Sequence, residues 1–552
     1  MEHKWEQTYD VVVVGTGASG LTAAITAEHN GLKTLVIEKL DKWGGSTALS
    51  GGGVWIPNHY LMKEKGYLDS EEEALQYMEA IIHNVGQESS RERKKAFIKN
   101  APKMMLLLEK LGFRWKMAEK YPDYHPLEPG GKTGRAVEGD VFDGKKLGKF
   151  LNTQTKSVGL PTIPIYTSDA AVLPLVIRKW SAFKRVLAIV AKAIGWGIRG
   201  KVPLTMGRSL TGQMMYILQN KFHTDIWLKS PLKDIIVENG KVEGVLVEKD
   251  GKEVYVKTNK GLLLGAGGFE RNDEYRRKHQ FVGADYTLGS VGNTGDATQL
   301  GEKLGAELAL MDEAWWGGGY FIDGVPFFSV FDRSMPGSMI VDQLGHRFVN
   351  ESTSYVVLGR TILDHHLKTG SAIPAWYILD GNHRRRYLLG MIPPGITPKK
   401  LIKSGQIIKA DSIEDLAKQC DINVENLKET VKKFNSYAYQ GKDPDFKRGD
   451  DIYDRYYSES SVEPNSNLAP IQNPPFYALK FYPVDLGTKG GLLTDEFGRV
   501  LRKDATPIEG LYASGNNTAS VMGRIYPGPG ATLGAACTFS YIAMNHLASV
   551  NN

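Results

Sequence analysis

Residues 9–20, YDVVVVGTGASG, constrain the fold more than any other stretch of the chain. A short valine-rich run predicts a buried strand, and Gly15-Thr16-Gly17-Ala18-Ser19-Gly20 follows it without a break. Helical spacing then runs from Leu21 towards His29 and stops at Asn30-Gly31, a composition suited to a helix C-terminus. A second apolar run, residues 34–37, ends at Glu38, 18 residues after Gly20. The unit reads as strand, helix, strand, and each glycine has its own task. Gly15 makes the tight turn, Gly17 lets backbone approach a pyrophosphate at the helix N-terminus, and Gly20 permits close helix packing. Glu38 stands where a carboxylate accepts from ribose hydroxyls. The reading is dinucleotide binding, with Ala18 and Ser19 included in the turn.

A chain of 552 residues has room for two or more lobes, and 42% hydrophobic with 24% charged residues is an ordinary globular balance. The 61 glycines are about 11% of the chain against a usual figure of about 7%, as expected where backbone lies close to a large cofactor. Cys420 and Cys537 are too few for a disulfide framework and point to a reducing compartment. MEHKWEQTYD lacks the apolar core of a signal peptide, and no run of about 18 uncharged apolar residues predicts a membrane span. The net charge is +6, yet Arg178, Lys179, Lys184, Arg185, Lys192, Arg199 and Lys201 crowd into residues 170–201 without an acid. The rest of the chain is close to neutral, so a nucleic-acid partner is not expected.

Residues 235–268 read as hairpins with turns at Asn239-Gly240 and Asp250-Gly251, ending in Leu262–Leu264 and the cluster Gly265-Ala266-Gly267-Gly268. Beyond residue 301 the grammar changes to helical segments, such as residues 413–420 and 424–437, and polar loops. Strand-turn-helix character returns at Gly510-Leu511-Tyr512-Ala513-Ser514-Gly515-Asn516. No internal repeat is visible. The expected fold is therefore α/β: a discontinuous Rossmann-like FAD-binding domain, residues 1–310 and 488–552, interrupted by an α+β catalytic cap at 311–487. NADPH with its own Rossmann unit would call for a second complete glycine fingerprint. FAD suits a single one better.

These residues resemble the FAD-dependent 3-ketosteroid Δ1-dehydrogenases of the fumarate-reductase-like flavoprotein superfamily. The resemblance spans nearly the whole chain, from VVVVGTGASGLTAA through Trp43-Gly44-Gly45-Ser46-Thr47, Ser50-Gly51-Gly52-Gly53-Val54-Trp55 and GLLLGAGGFERND. More specific are Asp312-Glu313-Ala314-Trp315-Trp316, Arg347-Phe348-Val349-Asn350-Glu351-Ser352, Asp485-Leu486-Gly487-Thr488-Lys489-Gly490-Gly491 and Tyr526-Pro527-Gly528-Pro529-Gly530. It implies FAD contacts at Gly45, Ser46, Thr47, Ser50, Gly51, Gly52, Gly53, Ala266, Gly267, Gly515 and Asn516. A 3-ketosteroid substrate and a quinone or other electron acceptor are implied with them.

Desaturation between C1 and C2 of a 3-keto steroid needs a hydride acceptor over C1 and a base near C2. It also needs hydrogen-bond donors aimed at the C3 oxygen, where enolate charge develops. The resemblance gives the donor role to Tyr526 and the Gly530 N–H, the base role to Tyr355, and support of that base to Tyr124, with Tyr121 as the alternative. A phenol of ordinary pKa about 10 needs help to act as a base near neutrality. A fumarate reductase, or a Δ4-(5α)-dehydrogenase, is the nearest alternative, and the former needs cations for a dicarboxylate. A flavin electron carrier has no use for these tyrosines. Trp315-Trp316 reads as core or substrate wall. His365-His366 reads as helix surface, with no metal site expected.

Val176, Trp180, Phe183, Leu187, Val190, Ile194 and Ile198 follow helical steps, while the cations fall mainly on other faces. Residues 170–201 are thus expected to form a basic amphipathic helix, broken near Pro174 and weakened at Gly195 and Gly197. It places the enzyme in the cytoplasm, peripheral on the inner face of the cell membrane.

Overall fold

A computed structural model describes residues 4–83, 85–156 and 163–550. Its largest sheet has eight strands, and five of them form a parallel core in the order Pro507–Ala513, Lys252–Leu264, Gln7–Val14, Thr34–Ile37, Asp225–Trp227. Val11, Val12 and Val13 are fully buried, as a strand covered on both faces requires. A strand from residue 507 onward therefore completes a sheet begun at residue 7, and the FAD-type sheet is discontinuous in sequence.

The first turn is set by close approach. At Gly15, with φ +100°, a Cβ would lie 2.4 Å from the Gly265 carbonyl oxygen, and at Gly20 it would lie 1.9 Å from the Gly15 oxygen. Helix Ala18–His29 follows with Gly17 as its N-cap. It packs on the C-terminal helix Ala531–Ser549, to which Ser19 is joined by a 3.0 Å hydroxyl pair with Ser540.

The hairpin turns have the backbone their residues predict. Asn239, Gly240, Asp250 and Gly251 all have positive φ, the pattern of a turn that matches strand twist. Lys241–Lys249 accordingly pairs antiparallel with both Leu232–Glu238 and Lys252–Leu264.

The intervening segment forms a second sheet of six antiparallel strands around the long strand Phe476–Thr488, which pairs with Ala314–Ile322, Ala375–Leu379 and Ile408–Ala410. Helices Tyr355–Thr369 and Val424–Gln440 flank it. The two lobes are tied by Arg276 and Asp485, an ion pair of 2.5 Å whose side chains are wholly buried.

Residues 167–198 form 3-10 turns at Thr167–Ala171 and Leu173–Leu175, then the helix Trp180–Ile198. Pro174 lies within the second turn, and the helix begins only at Trp180, not near residue 170 as expected. Gly195 and Gly197 do not end the helix, and Val176 lies ahead of it. Among the described residues no helix is long and apolar enough to cross a membrane. His365 and His366 sit in a helix, and no metal-binding group of side chains occurs among the described residues.

Candidate active site

The glycines of the first turn are not alike. Gly15 and Gly20 are required by neighbouring backbone, whereas a Cβ on Gly17 would meet only the Thr47 hydroxyl oxygen, at 3.4 Å. Gly45 has nothing nearer than the Gly17 Cα at 4.0 Å, and Gly53 nothing nearer than the Pro529 oxygen at 3.7 Å. Bare backbone faces open space along this line, the cradle a pyrophosphate and flavin need. The residues fit FAD.

Glu38 closes the cradle at the end of strand Thr34–Ile37. Its carboxylate accepts from the Thr16 hydroxyl at 2.6 Å, the Thr16 N–H at 3.2 Å and the Leu40 N–H at 3.0 Å. Burial raises its pKa, and these hydrogen bonds oppose the rise. A carboxylate has lone pairs to spare for ribose hydroxyls.

The other expected contacts divide into two kinds. Ala18 donates its N–H to the Thr47 hydroxyl at 3.0 Å, and the Ser50 hydroxyl bonds the Thr47 oxygen and the Gly52 N–H, so these residues shape the turn itself. Gly52 is packed against Met206. The Ser46 hydroxyl accepts from Ser290 N–H and Asn293 Nδ2, and the Gly51 oxygen accepts from Thr167. Ala266 and Gly267 continue the central strand; Gly267 has φ +80° and backs onto Asn293. Gly515 abuts Ser19, and Asn516 Oδ1 accepts from Trp315 Nε1 at 3.0 Å.

Beyond Gly53, three phenols from distant segments meet. Tyr124 and Tyr526 stack with ring centroids 5.4 Å apart, Tyr355 stands edge-on to Tyr124 at 5.2 Å, and Tyr355 and Tyr526 are 5.5 Å apart. All three are buried. Trp315, Phe328 and Tyr453 close the cage at 4.9, 5.0 and 4.9 Å from Tyr526, Tyr355 and Tyr124. Tyr121 instead bonds Tyr457 at 2.5 Å.

Burial above all, and then the neighbouring Tyr526, hold the Tyr355 phenol well above its ordinary range; hydrogen bonding with Tyr124 pulls it down. Burial also raises Tyr124. Thr532 donates to the Tyr526 oxygen at 3.0 Å, and Tyr526 is also hydrogen-bonded with Tyr355.

Gly530, φ +90°, is the N-cap of helix Ala531–Ser549, and a Cβ there would lie 2.2 Å from the Gly53 carbonyl. Its carbonyl accepts from Trp55 N–H at 3.1 Å, while its own N–H donates to no group among the described residues. A free amide at the positive end of a 19-residue helix favours a developing oxyanion. The Pro527 oxygen, bonded by Tyr124 N–H at 2.9 Å and the Tyr77 hydroxyl at 2.6 Å, ties the Tyr526 loop to the Tyr124 segment.

Several contributors escape the sequence reading. Asn293 reaches Ser46 and Glu270, and Lys39 pairs with Asp296 at 2.6 Å; both partners belong to the turn Gly292-Asn293-Thr294-Gly295-Asp296, whose glycine spacing is the available signal. Tyr453 and Thr532 carry no such signal.

A family model described as an FAD binding domain matches residues 10–533. The chain is 41% identical to a 3-oxosteroid 1-dehydrogenase of Mycolicibacterium smegmatis, over 98% of each chain. It is 40% identical to one of Mycobacterium tuberculosis, again over 98% of each. Among solved structures it is similar to a 3-ketosteroid Δ1-dehydrogenase from Sterolibacterium denitrificans in complex with 1,4-androstadiene-3,17-dione. The TM-score is 0.93 and the identity 35%, over 99% of this chain and 100% of that one.

Proposed function

The chain belongs to the FAD-binding flavoprotein family of the 3-oxosteroid 1-dehydrogenases, and from this we propose that it desaturates the A ring of 3-ketosteroids, 3-keto-4-ene to 3-keto-1,4-diene. The observation that carries the reading is the meeting of Tyr124, Tyr355 and Tyr526, with the Gly530 amide four residues beyond Tyr526 and beside Gly53. Tyr526 and Gly530 donate to the C3 oxygen and lower the cost of enolate charge. Tyr355 takes the C2 proton, helped by Tyr124. The Trp315 and Phe328 faces exclude water and hold an apolar ring system. Bound FAD supplies the acceptor for the C1 hydride. Loss of proton and hydride leaves the C1–C2 double bond, and the two electrons then pass to a quinone or another acceptor. The cofactor is held by residues 1–310 and 488–552, and the substrate is capped by 311–487.

The helix Trp180–Ile198 docks the enzyme on the cytoplasmic face of an anionic bilayer. It packs on protein through Ala182 and Ile189, but Trp180 is 66% exposed, Leu187 51%, Ile194 58% and Ile198 82%. Such a stripe beside Lys184, Lys192 and Arg199 suits a lipid interface, where 3-ketosteroids also partition.

Anaerobic mixing of the purified yellow protein with a 3-keto-4-ene steroid tests the reaction. Bleaching of the flavin band with appearance of the 1,4-diene is expected. Bleaching by succinate or NADPH but not by steroid overturns it.

A further inference from the structure

The two tyrosines that must act together come from different lobes, Tyr355 at the start of helix Tyr355–Thr369 and Tyr526 in the loop before the C-terminal helix. Ring contact alone does not fix their spacing, because aromatic pairs accept a range of separations. Glu313 touches neither ring and reaches both segments. Its Oε1 accepts from Arg360 Nη1 and, at 2.6 Å, from Arg524 Nη1. Arg360 lies five residues along the Tyr355 helix, about 7.5 Å of rise. Arg524 precedes Tyr526 by two residues.

The backbone of Glu313 is held at both polar groups, and its second oxygen, Oε2, is buried with no hydrogen-bond partner among the described residues. Glu313 is 1% exposed; its N–H donates to the Leu310 oxygen at 2.9 Å. Its carbonyl accepts from Lys489 N–H at 3.0 Å and Gln280 Nε2 at 2.9 Å. Two residues on, along strand Ala314–Ile322, Trp315 meets Tyr526 edge-on. The outer partners differ in kind: Asp312 on Arg524 and Asp364 on Arg360 are 51% and 43% exposed. Exposed pairs of that sort contribute little, whereas the buried shared carboxylate cannot lose its partners cheaply. No other carboxylate among the described residues pairs with an arginine on each of these two segments.

We propose that Glu313 is a positioning residue that sets the spacing of Tyr355 and Tyr526 by anchoring Arg360 and Arg524 on one carboxylate oxygen. The inference rests on the reaction proposed above, and its failure is separable from that of the reaction. Glu313→Gln keeps the shape and one acceptor but loses the charge. It is expected to purify with FAD and to bind steroid, read from the flavin band, within about threefold of wild type, while kcat falls on the order of a hundredfold, the cost of ~1 Å of misplacement. Solvent exchange of the C2 hydrogen falls with it, since both tyrosines serve that step. A crystal structure of the variant is expected to show the Tyr355–Tyr526 centroids displaced from their 5.5 Å separation.

Turnover per bound flavin at the wild-type rate overturns the proposal, even if the melting temperature drops. So does lost turnover with the ring spacing retained. If Glu313→Gln does not fold, Arg360→Gln and Arg524→Gln release the two arms singly; both arginines are about two-fifths exposed. Each is expected to lower kcat about tenfold with KM little changed, and Arg524→Lys to restore part of the loss. Wild-type turnover in both overturns the anchor. Asp364→Asn, on the exposed outer pair, is expected to stay within about twofold of wild type. If wild type neither exchanges C2 hydrogen nor oxidises steroid, the reaction is wrong, and the ring spacing in Glu313→Gln alone decides the anchor.

Discussion

Tyr355 is a poor base by itself, because the burial that excludes water also holds its proton. With its pKa raised well above 10, the phenolate is a minor form at neutral pH and grows about tenfold per pH unit. The kcat/KM profile is therefore expected to rise with pH through the neutral range, and Tyr355→Phe to abolish that rise along with C2 exchange. Tyr526→Phe removes the proposed oxyanion donor and is expected to cost roughly 3 to 4 kcal/mol in the barrier, a hundredfold to a thousandfold in rate, with FAD retained. Full-rate C2 exchange in Tyr355→Phe would remove that residue from the base role. Gly17→Val is expected to fold yet purify colourless, because its Cβ meets only the Thr47 hydroxyl oxygen, at 3.4 Å, and otherwise enters the cradle expected to hold the pyrophosphate; absorbance at the flavin band per mole of protein checks this. The glycines of this turn were legible beforehand, since Gly15 and Gly20 lie against backbone that leaves no room for a side chain and their spacing is local. Tyr453 was not, being one of 25 tyrosines whose role depends on a ring contact with Tyr124, more than 300 positions away.

At the scale of elements, the segments read most surely were those with local causes. The hairpin turns have Asn-Gly and Asp-Gly where both central residues need positive φ, and Pro174 falls in a 3-10 turn ahead of helix Trp180–Ile198. Which way that helix turns its stripe is not a local matter. Spacing is the same whether Trp180, Phe183 and Leu187 pack inward or face out, and only the placement of Ala182 and Ile189 against the protein decides it. Arg185, opposite the stripe, bonds Asp169 at 2.7 Å, and just ahead of the helix Arg178 bonds the buried Glu459 at 2.9 Å, so both ion pairs hold the element. The triple change Trp180→Glu/Phe183→Glu/Leu187→Glu is expected to leave flavin content and turnover of dissolved steroid intact and to abolish co-sedimentation with anionic vesicles. Wild-type binding should weaken as salt rises, because the attraction of the basic cluster is screened. Equal sedimentation of both proteins would return the helix to an ordinary surface element.

The two lobes of the molecule are joined by deeply placed polar ties. Arg276 and Asp485 join the lobes without solvent, and removing one partner of such a pair strands a charge, a cost of about 3–5 kcal/mol. Arg276→Met is accordingly expected to lower the thermal midpoint sharply, and the double change with Asp485→Leu to recover much of it, as followed by calorimetry. None of this pairing was readable in advance, since 209 positions separate the partners, although the glycine clusters at both ends did announce a sheet finished by its last strand. The provenance of the three phenols carries a lesson for recombination. Tyr355 belongs to the inserted segment, whereas Tyr124, Tyr526 and the Gly530 amide belong to the flanking ones. A chimera that takes residues 311–487 from a relative replaces Tyr355, the proposed base, together with Glu313, Trp315 and Phe328, while Tyr124, Tyr526 and the Gly530 amide stay native. Because Glu313 travels with that segment while its partner Arg524 stays, an exchanged cap keeps the native Tyr526 loop in place only if it brings its own carboxylate for Arg524, and a library of caps can be sorted by that one property.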